Sequence, residues 1–520
     1  MSVTTNTSAV AFWQQASSAT LSLKLIMLLA LIAGLMFPLS LAPYHQWWIA
    51  LLSPALLYLC LYKRSSRHTL WIGWSYGFGL WFTGAFWLYP AIHFYGNIAA
   101  PIAVFLIALL AVTMGAFTAV QTWAYRRFFP ETPLTFAPLW VAFEWLKTWL
   151  FTGFPWLFVG YAFTEYGLDN YAPALGVYAV SFMAILIATG IIEILRGKRF
   201  WLIPIALVLI GAFALKSVTW TTAKNEAPLS VSLVQGNISQ DLKWQEQYRF
   251  ETLNIYSRLS QNEWGRDLVV WPEAAIPLLQ TQAQPFINEL SQHAKASGSV
   301  WISGIPYFDE KNSSPTQPLF YNAIMANGGE NGLYFKQRLV PFGEYIPLSG
   351  LLSWLLPALQ EDITGGNFSA GDTQQSHLNI KQRALSVAIC YEVAYPNLTR
   401  QNAQNSDFLI TISNDAWFKG SAGPWQHLQM VQMRAKENGR WIIRGTNTGV
   451  TAIINEQGKI VHSLPMDVEG VLRADLPSYQ GQTLYSKLGD VPILVFSALL
   501  LLLGLYFRPK VVDLSFKKRR

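Results

Sequence analysis

A chain of 520 residues with 52% hydrophobic and only 13% charged residues does not have the composition of a wholly soluble protein, because soluble domains carry about 25% charged residues. The apolar residues crowd the first 220 positions and a stretch near the C-terminus, and the segment between them has a mixed, water-soluble character. At least two domains are therefore expected. The net charge of +7 is explained below by membrane topology and does not indicate nucleic-acid binding.

Eight apolar stretches are long enough to cross a bilayer as helices, which takes about 20 residues each. A spanning segment is expected to be helical because only a helix satisfies its own backbone hydrogen bonds in lipid. For the first stretch a signal peptide is an alternative, since its apolar core is short and ends in PLSLAP. The predicted spans are 22–41, 43–62, 70–92, 98–124, 133–151, 171–195, 200–217 and 489–507.

The basic residues predict the orientation of these spans. With eight spans, the loops after spans two, four and six lie on one side of the membrane together with the C-terminal tail. All of them contain Lys or Arg, such as Arg64, Arg127 and Arg199, which indicates the cytoplasmic side. Both termini are therefore expected inside. The predicted domains are a membrane domain at 1–219, an outer domain at 220–485, and a last span with a basic tail at 486–520.

The outer domain alternates strand-like apolar runs with amphipathic stretches, and this alternation predicts an α/β sandwich with buried sheets. Several strand-like runs end in a polar group, where ligand sites of α/β sheets gather. Glu273 follows VVWP, Cys390 follows LSVAI, and Asn414 follows LITIS. Apolar positions at helical spacing predict helices at about 243–262, 283–297 and 424–439.

Cys390 lies in the outer domain without a second cysteine, because Cys60 falls within the second predicted span. On an oxidising face of the membrane, structural cysteines usually come in pairs. Taken alone, Cys390 is compatible with an inert thiol at the end of a core strand, a nucleophile, or one half of an intermolecular disulfide. A nucleophilic cysteine needs a base or a cation nearby.

Two neighbouring motifs offer such groups. Glu273 stands between two prolines in VVWPEAAIP, where it suits general-base catalysis, although a carboxylate in a turn at a strand end is an equal alternative. Lys336 stands in GLYFKQRLVPFGEYIP, and a solvated lysine on an outward strand face is its alternative. The Pro, Gly and aromatic residues around Lys336 favour a fixed loop.

The motifs WPEAAIP, YFKQRLVPFGEYIP and ICYE occur in this order and together resemble the nitrilase (carbon–nitrogen hydrolase) superfamily. With NDAWF, TNTGVTAIIN and the flanking spans, the chain resembles more specifically the apolipoprotein N-acyltransferase family. The resemblance implies a polytopic α-helical membrane protein of about eight transmembrane helices. Its inserted outer domain would be a nitrilase-like αββα sandwich.

The resemblance also assigns roles by matching position. Glu273 is expected to be the general base, Lys336 the cation that stabilises the oxyanion, and Cys390 the nucleophile. One departure is visible, because the family commonly has Gly directly after NDAWF, where this chain has Lys419. The residues expected to support or line the site are Glu344, Tyr391, Glu392, Trp244, Asn414 and Trp417.

The reaction that the resemblance implies is a ping-pong acyl transfer through a thioester on the cysteine. The donor would be a phospholipid such as phosphatidylethanolamine, and the acceptor the α-amino group of a diacylglyceryl-modified apolipoprotein. The enzyme is expected as a monomer in the bacterial inner membrane, with its catalytic domain on the periplasmic side. No cofactor, metal or nucleic acid is expected, since no CxxC, HExxH, P-loop or dinucleotide glycine motif occurs.

Two other functions compete with this interpretation. A membrane-anchored amide hydrolase would use the same three residues with water as the acceptor. A transporter or receptor would show internal span repeats, which we do not find. His427 opens a predicted helix without an acidic partner in sequence and is interpreted as structural. Glu144 and Lys147 in span five predict an internal ion pair or a lipid head-group contact.

Overall fold

The computed structural model describes residues 21–315, 318–347 and 368–508. By their contacts the residues fall into two units, and each is described by itself. The first comprises the described residues of Met1–Tyr89, Ala99–Val218 and Asp490–Arg520, and the second comprises those of Pro90–Ile98 and Thr219–Gly489.

The first unit is mainly helical, as its apolar sequence predicts, and a helix lies within or overlaps each of the eight predicted spans. Helix Pro133–Leu146 shows how the sequence sets a boundary: Pro133 occupies the first helical position, where its missing N–H costs no hydrogen bond. The helices are Leu23–Met36, Ile49–Leu61, Ser66–Gly84, Ala100–Phe128, Pro133–Leu146, Ala172–Leu195, Leu202–Lys216 and Val491–Tyr506.

Four helical stretches of this unit have both the length and the hydropathy of a membrane span: Leu23–Ser40, Ala100–Phe128, Leu168–Leu195 and Arg199–Lys216. Ile49–Leu61 and Val491–Tyr506 are apolar but shorter. These helices give the unit its membrane character. The number of eight spans stays a prediction.

Small residues let the helices of the first unit approach closely. A Cβ atom added at Gly34 would lie 2.1 Å from the main-chain oxygen of Tyr76, and one added at Gly73 would lie 2.0 Å from Oγ1 of Thr122. Close backbone approach at small residues is how helices associate when lipid supplies no hydrophobic driving force. The glycines of this unit therefore set its packing distances.

Glu144 and Lys147 both line a small enclosed cavity inside the first unit. Oε1 of Glu144 accepts hydrogen bonds from Nε1 of Trp140 at 3.1 Å and from the backbone N–H of Val159 at 2.9 Å. The Lys147 ammonium lies over the Phe158 ring, 5.2 Å from its centroid. Both side chains thus point into the protein, where aromatic and backbone groups compensate part of the burial cost of the charges.

The strands described in the second unit are β1 Thr221–Ala223, β2 Leu229–Gln235, β3 Leu268–Val270, β4 Val300–Phe308, β5 Phe320–Gly328, β6 Gly332–Phe335, β7 Leu378–Ile380, β8 Arg383–Ile389, β9 Phe408–Ser413, β10 Ile442–Thr446, β11 Thr451–Ile454, β12 Ile460–Leu464, β13 Gly470–Leu476 and β14 Tyr479–Gly481. Among the described residues they form two six-stranded sheets and one two-stranded sheet. The strand orders are β12-β11-β10-β9-β8-β7, β13-β2-β3-β4-β5-β6 and β1-β14. Strands β2, β3 and β4 are parallel to one another, and so are β8, β9 and β10.

The two large sheets pack face to face. One apolar cluster joins side chains of both sheets, such as Leu233 and Val270 on β2 and β3 and Ile389 and Ile412 on β8 and β9. Further clusters pack helices on the outer faces. The result is the predicted αββα sandwich. Its helices are α1 Gln240–Lys243, α2 Glu246–Ser260, α3 Gln284–Ala296, α4 Pro396–Asn402, α5 Gly423–Asn438 and α6 Leu484–Leu488.

The three predicted helices of the outer domain are confirmed as α2, α3 and α5, and every predicted strand-like run contains a strand. The run DLVVWPE forms only the three residues of β3, because Pro272 has no N–H to continue the ladder. This early end leaves Glu273 in a turn, three residues after the last residue of β3. Cys390 and Asn414 each follow the last residue of β8 and β9, so strand ends bring the predicted site residues together.

Candidate active site

Glu273 is held in a fixed orientation at the end of β3. The residue is 7% exposed. Oε2 accepts the backbone N–H of Asn414 at 2.8 Å, and Oε1 accepts Nδ2 of Asn322 at 2.7 Å. Strand β4 passes so closely that a Cβ atom on Gly304 would lie 2.6 Å from Cα of Glu273. The carboxylate is thus positioned by two sheets at once.

Lys336 follows β6 and is 1% exposed, which excludes the alternative of a solvated surface lysine. Its Nζ lies 2.8 Å from Oε1 of Glu344 and 3.3 Å from Oε1 of Glu273. Burial lowers the pKa of Lys336, but the carboxylates of Glu344 and Glu273 outweigh it and raise the pKa above its usual range. The ammonium therefore keeps its charge at neutral pH.

Glu344 fixes the loop that follows Lys336. Its Oε2 accepts the backbone N–H of Val340 at 2.7 Å, while its Oε1 also accepts Nδ2 of Asn322 at 2.8 Å. Glu344 therefore supports the lysine and the loop backbone together. Asn322, on β5, bridges both carboxylates, and no sequence motif identified it.

Cys390 follows β8 and begins a short 3₁₀ helix, Cys390–Ala394. Its φ of 50° is in the left-handed region, which is costly for a residue with a Cβ atom. Burial raises the pKa of the thiol above its ordinary value, the Glu273 carboxylate raises it further, and the Lys336 ammonium opposes both. The thiol is therefore protonated at neutral pH and needs a base to become a nucleophile.

Glu392 lies two residues after Cys390 and accepts hydrogen bonds from main-chain N–H groups. It is fully buried and accepts the backbone N–H groups of Ile389, Gln337 and Arg338 at 2.6, 2.5 and 3.2 Å. Burial raises its pKa to about 7, against the effect of these hydrogen bonds. Glu392 thus ties the cysteine turn to the lysine loop.

The three aromatic residues of the prediction lie in different surroundings. Tyr391 is buried and packs at right angles on Tyr395, with ring centroids 5.2 Å apart. Trp244 and Trp417 are 45% and 41% exposed. The Trp417 ring packs on Tyr95, with centroids 5.5 Å apart. No measured contact joins either tryptophan to Glu273, Lys336 or Cys390 among the described residues.

Asn414 links the end of β9 to the start of helix α1 and to the residue after β10. Its Nδ2 donates to Oε1 of Gln240 at 2.7 Å, and its Oδ1 accepts Nδ2 of Asn447 at 3.0 Å. Its backbone N–H donates to Glu273, as described above. Among the predicted site residues, Glu273, Lys336, Glu344 and Asn414 are thus in one hydrogen-bonded cluster, and charges of that cluster act on Cys390.

Besides Asn322, sequence reasoning missed the buried Lys243, and it found no partner for His427. Lys243, fully buried, donates to the main-chain oxygen of Glu273 at 3.1 Å. His427 Nε2 lies 3.0 Å from the Cys390 carbonyl oxygen, and its Nδ1 lies 3.6 Å from Oδ1 of Asp415. The sequence shows no acidic partner for His427 because Asp415 comes from another element, and the interpretation of His427 as structural stays a prediction. No group of three His, Cys, Asp or Glu side chains within the described ranges is arranged to hold a metal ion.

Two family models match the chain. Residues 230–484 match the carbon–nitrogen hydrolase family, and residues 33–190 match the N-terminal domain of apolipoprotein N-acyltransferase. Curated relatives named apolipoprotein N-acyltransferase include one from Azotobacter vinelandii, 41% identical over 91% of this chain and 93% of its own length. Those from Pseudomonas paraeruginosa and Vibrio vulnificus are 39% and 36% identical, over 93% and 91% of this chain and 96% of their own lengths.

Solved structures similar to part of the chain include an amidase from Nesterenkonia sp., with a TM-score of 0.34 and 17% identity over 49% of this chain and 92% of that one. Another is a Saccharomyces cerevisiae member of branch 10 of the nitrilase superfamily, with a TM-score of 0.37 and 19% identity. It covers 52% of this chain and 97% of that chain.

The second unit is therefore a carbon–nitrogen hydrolase domain of the nitrilase type, carried by a chain whose other unit has membrane character. With relatives at about 40% identity over nearly the whole length, the particular family is also defined. The chain belongs to the apolipoprotein N-acyltransferase family. The resemblance, fold class and enzyme class predicted from the sequence are confirmed.

Proposed function

We propose that this chain transfers a fatty acyl group from a phospholipid to the α-amino group of a lipoprotein's diacylglyceryl-cysteine, through a thioester on Cys390. The observation that supports it most is the contact of Lys336 with both Glu273 and Glu344, beside a thiol that is protonated at rest. Such a site combines a base, a fixed cation and a nucleophile, which acyl transfer requires.

In the first half-reaction Glu273 takes the thiol proton while Sγ of Cys390 attacks the ester carbonyl carbon of the phospholipid. The carbonyl oxygen becomes an oxyanion, which the Lys336 ammonium and nearby backbone N–H groups stabilise. A well-placed donor contributes about 3 to 4 kcal/mol to such a transition state. The carbon–oxygen ester bond then breaks, Glu273 returns the proton to the leaving alkoxide, and a lysophospholipid leaves.

In the second half-reaction the neutral α-amino group of the lipoprotein attacks the thioester carbon. Glu273 accepts the proton that the amine loses, the carbon–sulfur bond breaks, and the proton returns to Sγ of Cys390. The products are the N-acylated lipoprotein and the original thiol. No other reactant is needed, because the ester bond of the donor supplies the acyl group in an already activated form.

The finer assignments belong to the same proposal. Phosphatidylethanolamine is the expected donor, acting from the outer leaflet of the bacterial inner membrane. The catalytic unit is expected on the periplasmic side, which the basic loop residues support. The enzyme is expected to act as a monomer, and we propose Trp244, Tyr391, Glu392 and Trp417 as residues that shape its pocket. The domain limits 1–219, 220–485 and 486–520 are proposed with it.

A membrane-anchored amide hydrolase is not favoured as an alternative. Glu273, Lys336 and Cys390 alone do not distinguish transfer to water from transfer to an amine. Relatives that match this chain over more than nine-tenths of its length are named as acyltransferases, and the apolar helices of the first unit give the chain the membrane character that an enzyme of lipid substrates needs. A hydrolase of small amides needs no such helices.

The decisive experiment incubates the purified full chain with phosphatidylethanolamine and locates the acyl group by peptide mass spectrometry. We expect an acyl thioester on Cys390 and transfer of the chain to a diacylglyceryl peptide. Cys390→Ala should lose both, while Cys60→Ala, the matched control at the only other cysteine, should keep both. Full transfer activity in Cys390→Ala would refute the proposal.

The proposed orientation has its own test. In spheroplasts that express a Cys60→Ala variant, Cys390 is the only thiol of the chain. A thiol reagent that cannot cross membranes should label it from the outer side. A reagent of the same size that does cross membranes controls for access to the partly buried thiol. Labelling by the second reagent alone would contradict the periplasmic assignment.

A further inference from the structure

The main chain at Cys390 has a conformation that its surroundings must maintain. A φ of 50° disfavours any residue with a Cβ atom, and such positions persist only where neighbouring contacts impose them. The direction of Sγ depends on this backbone angle. A contact that fixes the main chain of Cys390 therefore controls where the nucleophile points.

His427 makes such a contact. It lies on helix α5, is 5% exposed, and places Nε2 at 3.0 Å from the Cys390 carbonyl oxygen. A carbonyl oxygen only accepts hydrogen bonds, so Nε2 carries the hydrogen. Burial and the neighbouring Arg444 guanidinium lower the pKa of His427, so the ring is neutral and its Nδ1 has a lone pair.

Two buried charged groups hold this imidazole. The guanidinium of Arg444, fully buried, lies 3.4 Å from Nδ1 of His427 through both terminal nitrogens. One of these nitrogens also donates to Oδ2 of Asp415 at 2.8 Å. Burial would raise the pKa of Asp415, but Arg444 lowers it below its usual value, so the carboxylate stays charged. A compensated ion pair thus fixes the side of the ring that faces away from the cysteine.

The four residues come from four different elements. Cys390 follows β8, Asp415 follows β9, His427 is on α5 and Arg444 is on β10. His427 is the member of this group that hydrogen-bonds the main chain of Cys390. Asp415 directly follows Asn414, whose backbone N–H donates to Glu273, so the group adjoins the acid and lysine cluster along the chain as well as at the cysteine.

We propose that His427, oriented by Arg444 and Asp415, is a positioning residue that holds the Cys390 carbonyl and thereby aims the thiol at the acyl carbonyl. This inference rests on the proposed role of Cys390 as the nucleophile. His427 transfers no proton in this scheme, because its hydrogen-bonded nitrogen faces a main-chain oxygen and not the thiol. Its role is to make the strained backbone conformation the only populated one.

The test compares three variants of His427 in the full chain, with the single-turnover rate of Cys390 acylation by phosphatidylethanolamine as readout. Gln can place an amide N–H near the position of Nε2, whereas Ala and Leu cannot. We expect His427→Ala and His427→Leu to slow acylation about 100-fold, as misplaced reacting groups do. His427→Gln should recover most of the rate, with the pH profile of the wild type.

Each result decides the question. If His427→Gln acylates as slowly as His427→Ala, an N–H donor at this position does not restore the rate and positioning is refuted. If His427→Leu keeps the wild-type rate, the residue only fills space and positioning is also refuted. Absence of acyl-Cys390 in the wild type would refute the proposed function instead, so the two failures are distinguishable.

A second variant tests the same idea without changing His427, in case its substitution prevents folding. A Cβ atom on Gly449 would lie 2.1 Å from Oδ2 of Asp415, so Gly449→Ala must displace that carboxylate from Arg444. We expect slower Cys390 acylation with an unchanged KM for phospholipid. Gly470→Ala, whose Cβ atom would meet only Leu464 side-chain atoms at 3.6 and 3.7 Å, is the control. Equal acylation rates in the two variants would overturn the proposal.

Discussion

Lys336 lies closer to Glu344 than to Glu273: its ammonium nitrogen is 2.8 Å from Oε1 of the former and 3.3 Å from Oε1 of the latter. The supporting carboxylate therefore binds the cation more tightly than the proposed base does. The side chains of Lys336, Glu273 and Glu344 are only 1%, 9% and 12% exposed, so solvent screens these ion pairs weakly. It leaves Glu273 available to take a proton without losing the lysine.

Glu344→Gln tests this division of roles. The amide keeps the size of the side chain but removes its charge. The Lys336 ammonium should then move toward Glu273 and pair with its carboxylate, which makes Glu273 a weaker base. We expect acyl transfer to fall about 10-fold to 100-fold, mainly in kcat, as for a misplaced catalytic group. Glu289→Gln, at an exposed position on α3, is the matched control. An unchanged kcat in Glu344→Gln would show that Glu344 does not control the lysine.

The second prediction concerns Asn322, whose Nδ2 donates to both Glu273 and Glu344 at 2.7 and 2.8 Å. Asn322→Asp replaces this shared donor with a third carboxylate, and like charges at hydrogen-bond distance cannot all stay ionised. We expect the pH profile of acylation to shift to higher pH and the maximal rate to fall. Asn327→Asp on the same strand is the control. A profile identical to that of the control would contradict the bridging role.

The sandwich could be predicted from the sequence because buried β-strands are visible as short apolar runs. The sequence also predicted Glu273, Lys336, Glu344 and Asn414, since each falls in a motif or at a strand end. The structure places these four in one cluster beside Cys390, while their catalytic roles stay a prediction. The motifs therefore predict mainly which residues lie close together, because the strand ends that contain them lie at one edge of the sandwich.

Other features of the site had no local signal. In the sequence, Asn322 is one polar residue in an alternating strand. Only the pairing of β5 with β4 and β6 places it between the carboxylates of Glu273 and Glu344. His427 and Asp415 are separated in sequence by a loop and a helix start, so their approach depends on packing between elements. Such contacts depend on tertiary packing, which one-dimensional patterns do not record.

Gly304 gives the third prediction. A Cβ atom there would lie 2.6 to 2.8 Å from main-chain atoms of residues 272–274, and backbone cannot move aside as a flexible side chain can. Gly304→Ala should therefore displace Glu273 and slow Cys390 acylation about 100-fold. Gly329→Ala, whose nearest neighbour would be 3.9 Å away, should behave as wild type. Comparable acylation rates for the two variants would show that the close approach of β4 does not position the base.

Lys243 gives a prediction about pH and stability. Burial lowers the pKa of this lysine from 10.5 to about 7, although the Glu273 carboxylate opposes the shift. In the unfolded chain the lysine keeps its proton up to about pH 10.5. Between about pH 7 and pH 10.5 the unfolded state therefore binds more protons than the folded state. The free energy of unfolding should therefore rise with pH across this window, and the penalty for burying the charge should be complete below it.

Lys243→Met removes the titrating group but also the hydrogen bond to the main chain of Glu273. We expect the apparent Tm of the detergent-solubilised full chain to rise less steeply with pH in this variant than in the wild type, from neutral pH upward. Lys295→Met, at an exposed position of α3, should keep the wild-type slope, which separates the buried lysine from the other groups that titrate in the same range. Equal slopes in all three proteins would mean that Lys243 is hydrated in solution. A lower rate of acylation in Lys243→Met at every pH would show that the lysine also fixes the turn that contains Glu273.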